Sequence, residues 1–500
     1  MCFKRARCDA LGSRFVRLYA RTNLKGVVLS ESYDVAILGA GPGGYVAALR
    51  AAQLGASVAL VEKERVGGTC LNIGCIPTKA LTTATNLLVE ARRGADFGLV
   101  IPEARPDLPA LMAYKQGTVD NLVGGVKRLL EERGVALVRG AGRLSAPDTL
   151  QVTDREGRAA RVSARQVILA PGSVTARPPI PGLDLPGVMT STEALTIADV
   201  PEHLIVVGGG VIGLEFASIY EALGSRVTIL EMMPTLLPGL IGQRFAKRLA
   251  ITLHRRGMTI QTGAAVRRIE AAGAGLRVVF EGRRGEEAVE GERVLIAVGR
   301  WPNTENLGLE EVGVEMDGRA VAVDERLQTS VPNVWAIGDA VGGPMFAHKA
   351  MVDGRVAAEN ALGGERTVDY RATPNVIFTR PEVAGVGLTQ DEAREQGFVV
   401  KVTKFPFSAT PKAQILGQTE GLIQLVCEEE SGRVLGVHMM GPHVTDLIAE
   451  GALAVQMGLT ADDLAWTTHA HPTLPEAMLE AALGFRDATI HITRKDRRLR

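Results

Sequence analysis

Residues 33–38 read YDVAIL, a short apolar run with the character of a buried strand. Three glycines then interrupt the pattern, Gly39, Gly41 and Gly44, and it resumes as YVAALRAAQLG, which reads as a helix. A further apolar run, VALVE, ends on Glu62. The same succession returns later in the chain. HLIVVGGGVIG carries Gly208, Gly210 and Gly213, LEFASIYEALG reads as the following helix, and VTILE ends on Glu231. In each copy the acid lies 23 positions after the first glycine.

Strand, glycine turn, helix and acid-terminated strand form a dinucleotide-binding device. The glycines let a diphosphate approach the backbone, and the helix start offers unpaired N–H groups and a partial positive charge. The acid at the strand end accepts hydrogen bonds from a ribose diol. Glycines that merely close tight turns do not explain why an acid ends the next strand twice. Two such sites imply two dinucleotides and electron transfer between them. The residues after Glu231, MMPTLLPG, include no Lys or Arg. A 2′-phosphate there would face a carboxylate, so the second nucleotide is expected to be NAD rather than NADP.

Five hundred residues predict several domains. The 56 basic and 56 acidic residues cancel, which argues against nucleic acid as a partner. No apolar run approaches the roughly 18 residues needed to cross a bilayer. The first thirty residues are Arg-rich and acid-poor and contain Cys2 and Cys8. They read as a disordered or over-extended start, or as an organelle transit peptide. The expected location is accordingly the cytoplasm, with the mitochondrial matrix as the alternative. In a reducing compartment a persistent disulfide is rare and a cycling one is the usual exception.

With the two glycine motifs, the blocks GGTCLNIGCIPTKAL, AVGRWPNT, VWAIGDA, IFTRPEVAGVGLT, FPFSA and HAHPTLPEA occur in one order. In that order the chain, over residues 32–490, resembles the pyridine nucleotide–disulfide oxidoreductases, and among them the members that oxidise dihydrolipoamide. The resemblance implies an α/β fold with two Rossmann-like dinucleotide-binding domains, the NAD unit inserted in the FAD unit, and a C-terminal α+β dimerisation domain. The expected boundaries are an extension at 1–31, FAD-binding parts at 32–178 and 301–370, an NAD-binding domain at 179–300, an interface domain at 371–490 and a basic tail at 491–500. It also implies FAD at the first site, where Gly338 and Asp339 of VWAIGDA return to bind it. Gly299 of AVGRWPNT joins the cofactor-binding residues.

Cys70 and Cys75 are two of only five cysteines. Zinc would require Cys-x2–4-Cys with two further ligands near by, and the clustered His469 and His471 are far off in sequence. A bridge across so short a loop adds little stability. Redox use fits best. By resemblance Cys75 touches the flavin, while Cys70 exchanges with the substrate dithiol. Exchange needs a thiolate and hence a base. His471 is expected to supply it, with Glu476 holding the other ring nitrogen, on a helix that Pro472 is expected to open. The resemblance places this dyad in the partner subunit of a homodimer. Lys79 and Glu215 match an ion pair beside the flavin; alone they read as a surface charge and an early-helix acid. His348 matches a position near the flavin or is a packed histidine, His469 is read as a packing or supporting residue, and Cys427 as core. The implied reaction is oxidation of dihydrolipoamide on a lipoyl-bearing carrier protein of a 2-oxo acid dehydrogenase or glycine-cleavage complex, with reduction of NAD⁺. The alternatives are another disulfide or metal reductase of this fold and a structural subunit of a multienzyme assembly.

Overall fold

The computed structural model describes residues 32–492; the expectations for 1–31 and for 493–500 lie outside the described residues. Three sheets organise the chain. In the first, Tyr33–Leu38 lies between Val58–Glu62 and Ala159–Leu169, parallel to both, with Ile37 in register with Leu60 and Ile168. Ala136–Arg139 extends one side of this sheet. The chain comes back to it much later, when Val334–Ala336 pairs in parallel with Ala159–Leu169. The helix Pro42–Gln53 starts with proline, whose fixed φ suits the first helical position, and buries Gly43, Gly44, Ala47, Ala48 and Ala51. Those small residues let it lie close to the helix Ala347–Ala361, where a Cβ on Gly354 would stand 2.4 Å from the Gly43 carbonyl oxygen.

Between departure and return lies a second sheet of five strands, ordered Thr259–Thr262, Arg226–Glu231, His203–Val207, Arg293–Ile296 and Val188–Met189. All are parallel. Its helix, Val211–Leu223, is apolar almost all round because it is covered on both sides, packing on its own sheet and on the helix Cys75–Arg92. Phe216 and Leu81 share one core cluster there; burying a phenylalanine of this kind contributes about 2–3 kcal/mol. In both sheets the strand that leads into the glycine turn is interior, with neighbours on either side. The crevice beyond its carboxyl end is where open α/β sheets bind ligands.

The third sheet has five antiparallel strands, in the order Asn375–Ile377, Glu382–Gly387, Val434–Gly441, Leu422–Glu428 and Val400–Pro406. Cys427 is wholly buried in it. The helices Val444–Met457 and Glu476–Leu483 accompany this sheet. Pro472 does not open the last helix: that helix begins at Glu476, with Pro475 before it. Residues 471–475 form an irregular segment instead, tied by Thr473 Oγ1 to the Ala470 carbonyl and by the Thr473 N–H to Glu476. Among the described residues no helix is long and apolar enough to cross a membrane.

Candidate active site

Both glycine turns open into one cavity of about 2010 Å³. A single small-molecule site usually encloses about 300–1,000 Å³, so this space suits two large ligands. Gly39 has φ +99°, and a Cβ there would stand 2.2 Å from the Ala170 carbonyl oxygen. A Cβ on Gly44 would stand 1.8 Å from the Gly39 oxygen, so helix and strand pack only because both are glycine. Gly41 differs: a Cβ there meets no atom within 4 Å and would occupy open space at the cavity wall. Gly208, Gly213 and Gly210 repeat these three conditions at the second turn.

The two acids also share a geometry. Glu62 accepts from the Ala40 N–H at 2.8 Å and from the Glu64 N–H at 2.7 Å. Glu231 accepts from the Gly209 N–H at 2.6 Å and from the Met233 N–H at 2.7 Å. Each carboxylate thus fixes its glycine turn and keeps lone pairs for a diol.

Cys70 lies on the short helix Gly68–Ile73, and Cys75 is the first residue of the helix Cys75–Arg92. Both line the cavity. The sulfurs are unbridged, and each thiol's strongest electrostatic neighbour is the other. That interaction is the main reason the Cys75 thiol is lowered to about 7; burial and Glu215 oppose it, while Lys79 one helical turn on assists. The helix N-terminus favours the thiolate as well. The Cys70 thiol is pushed up, first by Cys75 and then by burial. Of the two thiols, Cys75 therefore ionises first.

Lys79 Nζ bonds both carboxylate oxygens of Glu215 and sits 4.8 Å from the centre of the Phe378 ring. Glu215 also accepts from the Phe378 N–H at 3.1 Å. This ion pair joins the first unit, the second unit and the C-terminal sheet at the cavity wall.

Also at the cavity wall, Asp339 accepts from the Ser173 hydroxyl, and Ser173 in turn accepts from Arg300 Nε at 2.7 Å. One carboxylate oxygen of Asp339 stays open. Behind the Gly338–Asp339 turn is a buried network: Asp353 accepts from the Gly338 N–H and from Lys349 Nζ, both at 3.0 Å, and from the Tyr370 hydroxyl at 2.8 Å. Sequence reasoning found none of Ser173, Arg300, Lys349, Asp353 and Tyr370: Ser173 and Arg300 lie 127 positions apart, while Lys349 and Asp353, one helical turn apart, belong to no motif. His348 lines the cavity, stacks on Phe346 at 5.1 Å and donates through Nε2 to the Pro374 carbonyl. Burial pushes its pKa down.

His471 Nδ1 donates to Glu476 at 2.8 Å, which leaves Nε2 free as a base. Burial opposes ionisation of Glu476, but hydrogen bonds from His471 and the Thr473 N–H outweigh it and hold the carboxyl below its ordinary range. His469 is different. Its ring bonds the Thr467 carbonyl at 2.8 Å and Glu450 at 2.9 Å, so neither nitrogen is free. His471 and Glu476 do not line the cavity that holds Cys70 and Cys75 in their own chain.

The donor set fits two dinucleotides. Each site has an open glycine cradle at a helix start and a buried carboxylate beside it, and the first adds the spare oxygen of Asp339. The family model described as pyridine nucleotide-disulphide oxidoreductase matches residues 33–354, and that family's dimerisation-domain model matches residues 373–482. The dihydrolipoyl dehydrogenase of Thermus scotoductus is 44% identical over 472 residues, covering 92% of this chain and 99% of that protein. The mitochondrial dihydrolipoyl dehydrogenase of Pisum sativum is 39% identical over 469 residues, 93% of each. Among solved structures, LpdA from Mycobacterium tuberculosis superposes with a TM-score of 0.83 at 30% identity, covering 90% of this chain and 98% of that one. Two glycine cradles and a cysteine pair on one cavity, with these matches along the chain, have one reading: the protein belongs to the pyridine nucleotide-disulphide oxidoreductase family and carries its dimerisation domain.

Proposed function

We propose that this protein oxidises dihydrolipoamide, borne on a carrier protein of a 2-oxo acid dehydrogenase or glycine-cleavage complex, to lipoamide, and passes the electrons to NAD⁺. The observation that carries this reading is the opening of both nucleotide cradles and the Cys70–Cys75 pair into one cavity. Similarity to proteins named dihydrolipoyl dehydrogenase over nearly the whole chain supports the substrate.

The first cradle, Gly39, Gly41, Gly44 and Glu62, holds FAD together with Lys79, Gly338 and Asp339. The second, Gly208, Gly210, Gly213, Glu231 and Gly299, holds NAD. In the oxidised protein Cys70 and Cys75 form a disulfide. A substrate thiolate attacks the Cys70 sulfur, the Cys70–Cys75 bond breaks, and Cys75 leaves as the thiolate that the helix start and Lys79 favour. The second substrate sulfur then attacks the mixed disulfide, closing lipoamide and releasing Cys70. Two protons leave the substrate; one stays on Cys70 and the other is taken by His471, whose basicity Glu476 raises. FAD, when bound, supplies the two-electron carrier between the cysteine pair and the nicotinamide. Because His471 lies off its own chain's cavity, a homodimer in which each subunit lends its base to the other accounts for the geometry. A dithiol that cycles rather than persists belongs to a reducing compartment such as the cytoplasm.

The test is an anaerobic titration of the purified flavoprotein with NADH and, separately, with dihydrolipoamide, followed by visible absorbance. Both reagents are expected to reduce it, and Cys75→Ser is expected to abolish the long-wavelength band of the half-reduced protein. A spectrum that answers to NADH and ignores dihydrolipoamide would overturn the proposal.

A further inference from the structure

The second nucleotide site contains a cation that sequence order conceals. Of the residues between 203 and 299 that line the cavity, Arg267 is the one lysine or arginine. The acids there are Glu215, engaged by Lys79, and Glu231. Arg267 is exposed and has no hydrogen-bond or ion-pair partner among the described residues. Its neighbour Arg268 is fully engaged, by Glu270 at 2.6 Å and Glu286 at 2.9 Å. The pairing of Ala265–Ala272 with Gly275–Gly282 bulges between Val266 and Arg268, leaving Arg267 outside the ladder; Arg267 lines the cavity while Arg268 meets acids.

Backbone pairing fixes where in the site Arg267 stands. The Ala264 N–H bonds the Glu231 carbonyl at 2.8 Å, and the Gly263 N–H bonds the Met233 carbonyl at 3.0 Å. Residues 263–267 therefore run beside the strand end that carries the diol-binding acid. Ala264, Ala265, Val266 and Arg267 all line the cavity, as do Met232 and Met233. This is the adenosine end of the nucleotide, the end at which NAD and NADP differ.

We propose that Arg267 is a specificity-determining residue that admits the 2′-phosphorylated dinucleotide to this site as a second, weaker substrate. The proposal rests on the reading that the site takes a nicotinamide dinucleotide. A 2′-phosphate brings up to about two negative charges. Glu231 repels it, although two backbone N–H groups already share that carboxylate's charge. Arg267 supplies the opposing attraction, and a guanidinium fork suits a phosphate. With NAD(H) the same arm has no phosphate to meet at the ribose and stays in solvent, so the preference for NAD(H) persists without being absolute.

The experiment measures kcat and KM of the holoenzyme for NADH and NADPH with lipoamide as acceptor, in wild type, Arg267→Ala and Arg267→Lys. In Arg267→Ala the KM for NADPH is expected to rise about five- to tenfold, as loss of one charge-assisted contact predicts. Its kcat stays near wild type, and the KM for NADH changes by less than about twofold. Arg267→Lys should retain part of the NADPH affinity, and added salt should narrow the difference between wild type and Arg267→Ala. An unchanged NADPH-to-NADH ratio of kcat/KM overturns the inference. So does an equal rise in both KM values, which would make Arg267 an adenine contact common to the two nucleotides. Wild-type turnover with NADH and none with NADPH also overturns it, whereas turnover with neither overturns the proposed function instead.

Discussion

Lys79 Nζ donates to both carboxylate oxygens of Glu215, at 2.9 and 2.7 Å, across 136 positions of sequence. Glu215 is 3% exposed, so the pair ties two nucleotide-binding units together at a desolvated point. Lys79→Met would leave the carboxylate with the Phe378 N–H as its remaining donor, a loss of about 3 kcal/mol in unfolding free energy, at the low end for a broken buried pair because Lys79 is partly exposed. The Cys75 thiol responds to the two partners with opposite signs, since Lys79 lowers it and Glu215 raises it. Lys79→Met should therefore raise the Cys75 titration midpoint and Glu215→Gln should lower it, although both destabilise. Denaturant unfolding and thiolate absorbance, measured on the same samples, separate the two effects.

The reduced pair should titrate near neutrality. Cys75 is lowered from 9.0 to about 7, chiefly by its interaction with Cys70. In dithiol-reduced protein, thiolate absorbance is expected to rise with a midpoint near that value. Cys70→Ala should move the midpoint upward, and Cys70→Ser should move it less, because a hydroxyl can donate to the thiolate. The linkage has a definite sign: a depressed folded pKa adds stability that is fully present above the unfolded value and is lost as pH falls through the folded one. Reduced protein should therefore gain stability between about pH 7 and 9 relative to Cys75→Ser, as melting temperatures across that window will show.

His471 bonds Glu476 yet lies off the cavity of its own chain, so the two defects Cys75→Ser and His471→Gln should complement each other between subunits. Each homodimer alone should be nearly inactive with dihydrolipoamide, the base variant by about 10²- to 10⁴-fold. Random reassembly of equal amounts gives mixed dimers in half the population, each with one intact site, and hence about a quarter of wild-type activity. Absence of recovery in dimers proven to be mixed would mean that the base serves its own subunit.

What the chain discloses in one dimension is what it builds locally. Gly39, Gly41, Gly44 and Glu62 lie within one strand–helix–strand unit, so spacing alone marks them as one device, and the repeat at Gly208 to Glu231 doubles the signal. Glu476 was legible beside His471, but the helix start was not. Pro472 suits a first helical turn in isolation, whereas the Thr473 contacts hold residues 471–475 irregular and move the start to Glu476. Arg300 meets Ser173 only once Ser173–Thr175 pairs with Arg300–Pro302, and Tyr370 reaches Asp353 only when the segment after the helix Ala347–Ala361 folds back on it. Arg267 shows the limit most clearly: MMPTLLPG has no cation, yet the bonds of Gly263 and Ala264 to Met233 and Glu231 carry the chain past that strand end and on to Arg267.

The network behind Asp339 permits a sharper energetic test. Asp353 is fully buried and Lys349 is 2% exposed. Removing one member leaves an uncompensated buried charge, so Asp353→Leu alone should cost about 3–5 kcal/mol. Replacing both, as Asp353→Leu with Lys349→Met, should cost less than the single change, because neither charge is then desolvated for nothing. Chemical denaturation of the single and double variants measures that coupling directly.

Two glycines three positions apart should fail in different ways. At Gly44 an added Cβ would collide with the Gly39 oxygen at 1.8 Å, so Gly44→Ala must push the helix from the strand. Unfolding of the apoprotein should register this, with a loss of about 1–3 kcal/mol typical of overpacking. At Gly41, φ is −69°, a value any residue adopts, and a Cβ meets nothing within 4 Å. Gly41→Ala should leave the stability of the apoprotein unchanged within about 0.5 kcal/mol. Its methyl group nevertheless stands where a diphosphate must approach the helix start, so FAD affinity should fall while the fold persists. Equilibrium dialysis of FAD against both variants, set beside their apoprotein melting curves, distinguishes a cradle wall from a packing contact. Equal loss of stability in the two would remove Gly41 from the cofactor site.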